Sequence, residues 1–351
     1  MRYRDVRQCN DGQDRHGSQE RFTGRPERER AARAELRGVP MARRIDVTGA
    51  GGVRLAAWEF GDPPKTDPSK TDPPDRADPA GETSPAPEKR SPGVLLLHGL
   101  MGRASHWAST ARWLSERYRA VALDQRGHGQ SDKPPRAAFT RDAYVEDAEA
   151  ALEQLGLAPT VLIGHAMGAL TAWQLAARRP DLVRGVIICD MRASALGAAS
   201  QREWGEWFEA WPVPFATLAD VRKWFGEDDP WVERPNPARG EFYAEVMAES
   251  PDGWRPVFEP EQMLSSRETW VYDAHWEELT QVRCPALVVR GLDGELGRAE
   301  AQEMVRVLPR GEYAEVADAG HLVHYDQPEA WRAAIEPFLD GLDSQDDGNN
   351  D

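Results

Sequence analysis

Short apolar runs separated by amphipathic stretches organise most of this chain. Gly93 opens the first run, Val94-Leu95-Leu96-Leu97, which is continuous enough to predict a strand buried on both faces. A helical pattern follows at 105–117. Then come a strand at 120–124, a helix at 140–155, a strand at 160–163, a helix at 167–178 and a strand at 185–190. The rhythm resumes after residue 284 with a strand at 286–290, a helix at 298–308, a strand at 312–316 and a helix at 328–340. Alternation of this kind predicts right-handed crossovers and a doubly wound, mostly parallel α/β sheet. Ahead of it, residues 45–49 and 53–60 read as a β-hairpin around Gly51-Gly52.

Segments that break the rhythm divide the chain. Residues 41–190 and 277–340 form the expected α/β core. Between them, residues 191–276 hold eight of the thirteen tryptophans at helical spacing, which predicts an inserted helical cap above the carboxyl ends of the strands. Residues 62–92 are rich in Pro, Asp and Lys and repeat Lys-Thr-Asp-Pro at 65–68 and 70–73. Such a segment buries too little surface to offset its ordering entropy and reads as a disordered insertion. Residues 1–40 hold ten Arg and seven acids with no apolar periodicity. They are expected to be a disordered extension, with Met41 as the functional start. Residues 341–351 are expected to be a flexible acidic tail.

Composition narrows the partners. The formal net charge is −16, and the excess of basic residues in 1–40 leaves −19 on the remainder. A surface that acidic repels phosphate backbones and anionic lipid, so neither nucleic acid nor a membrane is an expected partner. No apolar run reaches the roughly 18 residues of a membrane-spanning helix. Cys9, Cys189 and Cys284 cannot make a disulfide framework, and no Cys/His cluster has metal-ligand spacing. The expectation is a cytoplasmic protein with a small-molecule substrate or ligand, and with neither metal nor cofactor.

The strongest chemical signal is Gly164-His165-Ala166-Met167-Gly168, where a predicted strand runs directly into a helix. A turn that sharp needs small residues at both ends. Its apex projects over the sheet at a helix N-terminus, where the dipole favours negative charge. Such an apex suits a nucleophile whose attack creates an oxyanion, but residue 166 is alanine. His98-Gly99-Leu100-Met101-Gly102 follows the first buried strand. There the N–H of Leu100 pairs with that of Met167 as candidate oxyanion donors. Ala317-Asp318-Ala319-Gly320-His321-Leu322-Val323-His324 follows the last strand, with His321 as the candidate general base. His165, His128 and His324 read as structural: His165 facing the core, His128 packing or hydrogen-bonding in a tight loop, and His324 capping the helix near Gln327-Pro328. His98 is a candidate for the pocket floor. Trp204, Trp207 and Trp211 are candidates for the pocket wall.

In this order, His98-Gly99, Asp124-Gln125-Arg126-Gly127-His128-Gly129-Gln130-Ser131, the elbow, Arg290-Gly291 and Gly320-His321 resemble the α/β-hydrolase fold family over about residues 43–340. The likeness is to capped small-molecule esterases, lactonases, epoxide hydrolases and carbon–carbon bond hydrolases. It implies a nucleophile, an acid and a histidine in that chain order. Ala166 stands where the family has serine. The family's usual acid position, three residues after Gly291, is Gly294. Asp293 is therefore the first candidate to orient His321, Asp190 the alternative and Glu295 the third. Three functions follow. One is a disarmed acyl-transfer hydrolase for a small, largely apolar ester or lactone. Another is general-base catalysis by His321 without a covalent intermediate. The last is a non-catalytic binder of a small ligand.

Overall fold

The protein is described by a computed structural model over residues 42–61 and 92–348. The predicted extension 1–40, the Met41 start and nearly all of the 62–92 insertion lie outside the described residues. Strand β1 (Ala42–Thr48) pairs antiparallel with β2 (Arg54–Phe60), which is the predicted hairpin. Then follow β3 (Gly93–Leu97), α1 (Ala108–Leu114), β4 (Arg119–Asp124) and α2 (Arg141–Leu155). After them come β5 (Thr160–His165), α3 (Met167–Arg178) and β6 (Val183–Cys189).

An insert follows β6. It holds α4 (Gly197–Glu209), α5 (Leu218–Lys223), α6 (Pro237–Ala244), the hairpin β7 (Met247–Ser250) and β8 (Gly253–Pro256), α7 (Pro260–Glu268) and α8 (Trp276–Gln281). The chain closes with β9 (Ala286–Gly291), α9 (Arg298–Val307), β10 (Gly311–Val316), the single turn α10 (Val323–Asp326) and α11 (Pro328–Gly348).

The large sheet has eight strands in the order β1-β2-β4-β3-β5-β6-β9-β10. β2 runs antiparallel to β1 and β4, and every other pairing is parallel. β3 and β5 are buried at every position, in keeping with the apolar or small residues that fill β3, and β5 from Thr160 to Gly164; only His165, at the end of β5, departs from that pattern. The expected doubly wound architecture is therefore the observed one.

Two features depart from the periodicity. The hairpin β7–β8 was not predicted. α11 continues to Gly348, through the segment expected to be a flexible tail. Leu339 and Leu342 are still buried there, and Asp343 accepts hydrogen bonds from Tyr118 at 2.6 Å and Arg117 at 2.7 Å. Polar composition hid that anchorage.

One buried ion pair ties the N-terminal hairpin to the core. Arg126 grips Asp147 of α2 with Nε at 2.6 Å and Nη2 at 2.7 Å. Both side chains are only 2% exposed. Arg126 also donates to the carbonyls of Ala138 and Ala50, and the Ala50 N–H returns to Asp147 at 2.8 Å. Nearby, Asp124 accepts from Trp58 Nε1, Ala104 N and Gln130 N. The motif from 124 to 131 is thus a folded knot at the end of β4. Removing one partner of a buried pair leaves the other charge uncompensated. Asp147→Asn is expected to lower unfolding free energy by about 3–5 kcal/mol, read as a lowered urea midpoint. A loss below about 1 kcal/mol would show that solvent reaches Arg126 and that the pair does not hold the hairpin.

Candidate active site

The turn between β5 and α3 is closed by contact. A Cβ on Gly164 would sit 2.4 Å from the Gly168 carbonyl oxygen, and one on Gly168 would sit 2.3 Å from that of Leu97. No side chain fits at either position. The turn forces Ala166 to φ 47° and ψ −121°, a conformation that costs a non-glycine residue about 1–3 kcal/mol. The Ala166 N–H is held by the Cys189 carbonyl at 2.9 Å. The apex lines a cavity of about 740 Å³.

His321 lies in the loop after β10 and lines the same cavity. Its Nδ1 donates to Asp190 Oδ2 at 2.8 Å. Asp190 directly follows β6. Its buried carboxylate also accepts the N–H of Glu295 at 2.9 Å and that of Leu296 at 3.4 Å. This corrects the first choice of acid. Asp293 borders the cavity with its side chain 53% exposed and pairs with Arg234 at 2.8 Å, not with His321. The reason is steric. A Cβ on Gly294 would fall 2.5 Å from Asp190 Oδ1, so the loop wraps Asp190 with backbone. Glu295, the third candidate, contributes an amide to Asp190.

Burial pulls the His321 imidazole down, but Glu295, the Asp190 hydrogen bond and Asp326 outweigh it and raise its pKa to about 9. His165 behaves oppositely. Burial, then the nearby His321 and His324, hold it well below the ordinary histidine range. Its Nε2 therefore carries a proton to donate to the His321 carbonyl at 2.8 Å, and it braces the loop from beneath.

Leu100 and Met167 both border the cavity, and among the described residues neither amide N–H meets an acceptor. Trp204 is on the wall. Trp207 and Trp211 are not. They are buried in the insert's own aromatic core, where Trp207 stacks on Trp231 at 4.4 Å and Trp211 meets Phe225 at 4.7 Å. His98 is not on the pocket floor either. Its Nε2 accepts the Gln125 N–H at 3.0 Å, its Nδ1 lies 2.7 Å from the Gly99 carbonyl, and burial pushes its pKa down to about 3. It ties the end of β3 to the end of β4. His128 contacts the Arg126 carbonyl at 2.8 Å, in keeping with a structural role. His324 does not cap the following helix. It stacks on Trp107 with ring centroids 3.9 Å apart. Trp231, Trp270 and Arg267 line the cavity without having been singled out. The two tryptophans belong to the Trp-rich segment. Arg267 leaves no signal in sequence, because a lone arginine in a polar helix reads as a solvated face.

Comparison with known proteins agrees with this architecture. A profile described as the alpha/beta hydrolase fold matches residues 92–328. The chain is 29% identical over 263 residues to the 2-(acetamidomethylene)succinate hydrolase of Mesorhizobium japonicum, covering 71% of this chain and 88% of the relative. It is 26% identical over 277 residues to the sn-1-specific diacylglycerol lipase of Mus musculus, covering 71% and 81%. The crystal structure of E-2-(acetamidomethylene)succinate hydrolase superposes with a TM-score of 0.68 at 24% identity, over 86% of this chain and 99% of that one, a likeness of fold. The chain belongs to the α/β-hydrolase fold family.

Proposed function

We propose that this chain descends from an acyl-transfer hydrolase for small, largely apolar esters or lactones, and that Ala166 has removed the covalent step while the rest of the machinery persists. The observation that carries the reading is the His321–Asp190 pair at 2.8 Å, facing the same cavity as a strained apex that bears only a methyl group. A methyl cannot attack a carbonyl. The remaining groups can still act on a bound substrate. The substrate carbonyl oxygen lies between the Leu100 and Met167 amides, which take up charge as it develops. Neutral His321 removes a proton from water as the water oxygen bonds to the carbonyl carbon. It then returns that proton to the departing alkoxide, so the products are acid and alcohol. The insert acts as the cap that closes the site. In serine hydrolases stripped of the nucleophile, such residual machinery still exceeds uncatalysed hydrolysis by about 10³–10⁴. Relatives named as hydrolases and a lipase support the class of reaction.

A second reading, a ligand receptor without turnover, is favoured by one observation. With a pKa of about 9, His321 is mostly imidazolium at neutral pH and a poor base there.

The two readings separate by experiment. Ala166→Ser restores a nucleophile beside His321. It is expected to raise hydrolysis of 4-nitrophenyl butyrate by about 10³-fold or more and to make the protein react with a fluorophosphonate probe. A folded Ala166→Ser protein that is inert on a broad panel of short-chain esters would sink the acyl-hydrolase ancestry.

The unmodified chain should show its own slow turnover with an alkaline profile. Only neutral His321 can accept a proton, and a raised pKa makes that form scarce below about 9. The rate is expected to climb about tenfold per pH unit and level off above pH 9. His321→Ala should abolish it. Turnover unchanged by His321→Ala would remove His321 as the base, and turnover absent at every pH leaves the receptor reading.

A further inference from the structure

The residues assigned so far leave a buried cation on the cavity wall unused. Arg267 of α7 is 1% exposed, yet it borders the cavity that holds Ala166 and His321. Among the described residues no carboxylate lies within 4.0 Å of its guanidinium nitrogens. Nη1 donates to Gln201 Oε1 at 2.8 Å and Nη2 to Ser200 Oγ at 2.6 Å, while Nε has no partner. The plane is flanked by aromatic faces, with Cζ 4.8 Å from the Trp204 ring and 5.3 Å from that of Trp270. The Gln201 amide is oriented in turn, because its Nε2 donates to the Leu264 carbonyl at 3.0 Å. These contacts position the guanidinium without a carboxylate among them, and Glu295 of the cavity wall and Glu203 act on it only from beyond 4.0 Å.

Arg103 and Arg141 also lack a carboxylate within 4.0 Å among the described residues, but neither borders this cavity. Two further buried arginines are paired. Arg126 has Asp147 on two nitrogens, and Arg290 has Glu315 at 3.1 Å. A buried charge with no carboxylate in contact is costly to desolvate, and stacking on aromatic faces, as a clamp between α4 and α7, offsets only part of that cost. A planar, rigidly held fork with free N–H groups matches a carboxylate. The place is also right. Ser266, the adjacent residue, donates its hydroxyl to Met167 Sδ at 3.3 Å, so α7 abuts the residue after the apex.

We propose that Arg267 binds a carboxylate on the substrate or ligand, held between the Trp204 and Trp270 faces and remote from the carbonyl at Ala166. The role of that carbonyl rests on the function proposed above; the carboxylate site does not. The bound molecule is thus an apolar acyl body carrying one anionic arm. Burial lowers the Arg267 pKa to about 10, which leaves it charged at neutral pH.

The test is equilibrium binding to the unmodified chain, followed by tryptophan fluorescence, of monoethyl adipate and its uncharged diethyl ester. The monoanion is expected to bind about tenfold tighter or more. Arg267→Gln should erase the difference, and Arg267→Lys should keep a weaker one, because the charge stays and the fork goes. His321→Gln should leave the preference in place. Equal affinity for the two probes overturns the proposal, as does no binding of either at about 10 mM. So does a preference that follows His321 instead of Arg267. If Arg267→Gln fails to fold, the unmodified chain and Arg267→Lys still decide. Because binding needs no turnover, an inert Ala166→Ser protein would remove the hydrolase reading and leave the carboxylate site standing.

Discussion

The close approach of α3 to the ends of β3 and β5 governs the site. Gly164 and Gly168 meet backbone at distances no side chain tolerates, and the residue between them is driven to a positive φ. The strain therefore originates in packing around position 166, and the identity of the apex residue does not create it. Alanine and serine differ there by one oxygen at the end of Cβ, so the elbow keeps its shape with either. From this follow the exposure of the apex, the aim of the helix N-terminus and the free amide of Met167. Architecture and reaction can thus part company in this chain. The fold is fully that of a hydrolase, while the atom that would begin acyl transfer is missing.

The histidines show how strongly placement decides chemistry. His98, His106, His128, His165 and His324 are all pushed down, with burial the largest cause in each. They are neutral hydrogen-bonding or stacking groups at neutral pH. His321 is subject to the same desolvation but faces Asp190, Glu295 and Asp326, and its shift reverses. What separates it is the set of carboxylates it faces, Glu295 first and then Asp190, whose carboxylate two amides from the 291–296 loop fix at the end of β6. The loop in which the family resemblance places the acid supplies those amides, and the residue after β6, Asp190, supplies the carboxylate.

That exchange defines the limit of what could be read from residues alone. Strand–helix alternation, the sharp turn at 164–168, the turn at 98–102 and the loop that carries His321 were legible because each depends on local periodicity or on glycine at a forced turn. The choice of Asp190 over Asp293 was not, because it depends on which of two loops offers backbone and which offers a side chain. Trp204, Trp207 and Trp211 share helical spacing, but α4 ends at Glu209, before Trp211. Spacing cannot mark where the cavity ends and the insert's own aromatic core begins. Arg267 was invisible for a related reason. Its burial comes from Trp204 and Trp270, which lie 63 positions before and three positions after it in the chain.

The proton on His321 links stability to mechanism. Its pKa is about 9 in the folded chain and 6.5 in the reference state, so protonation favours the fold. That contribution is fully present below pH 6.5 and is lost as pH rises through about 9. Base catalysis needs the opposite state, with the proton gone. At neutral pH the His321–Asp190 pair therefore works first as a structural ion pair that pins the loop to β6. With a hydroxyl at the apex, neutral His321 would have a donor to accept from, and its neutral form would gain a partner. With a methyl there, that compensation is absent, and nothing at position 166 draws the imidazole toward its basic form. On the proposed reading the alanine at the apex thus acts twice: it offers no nucleophile, and it leaves the neighbouring base in the protonation state that favours holding the site together.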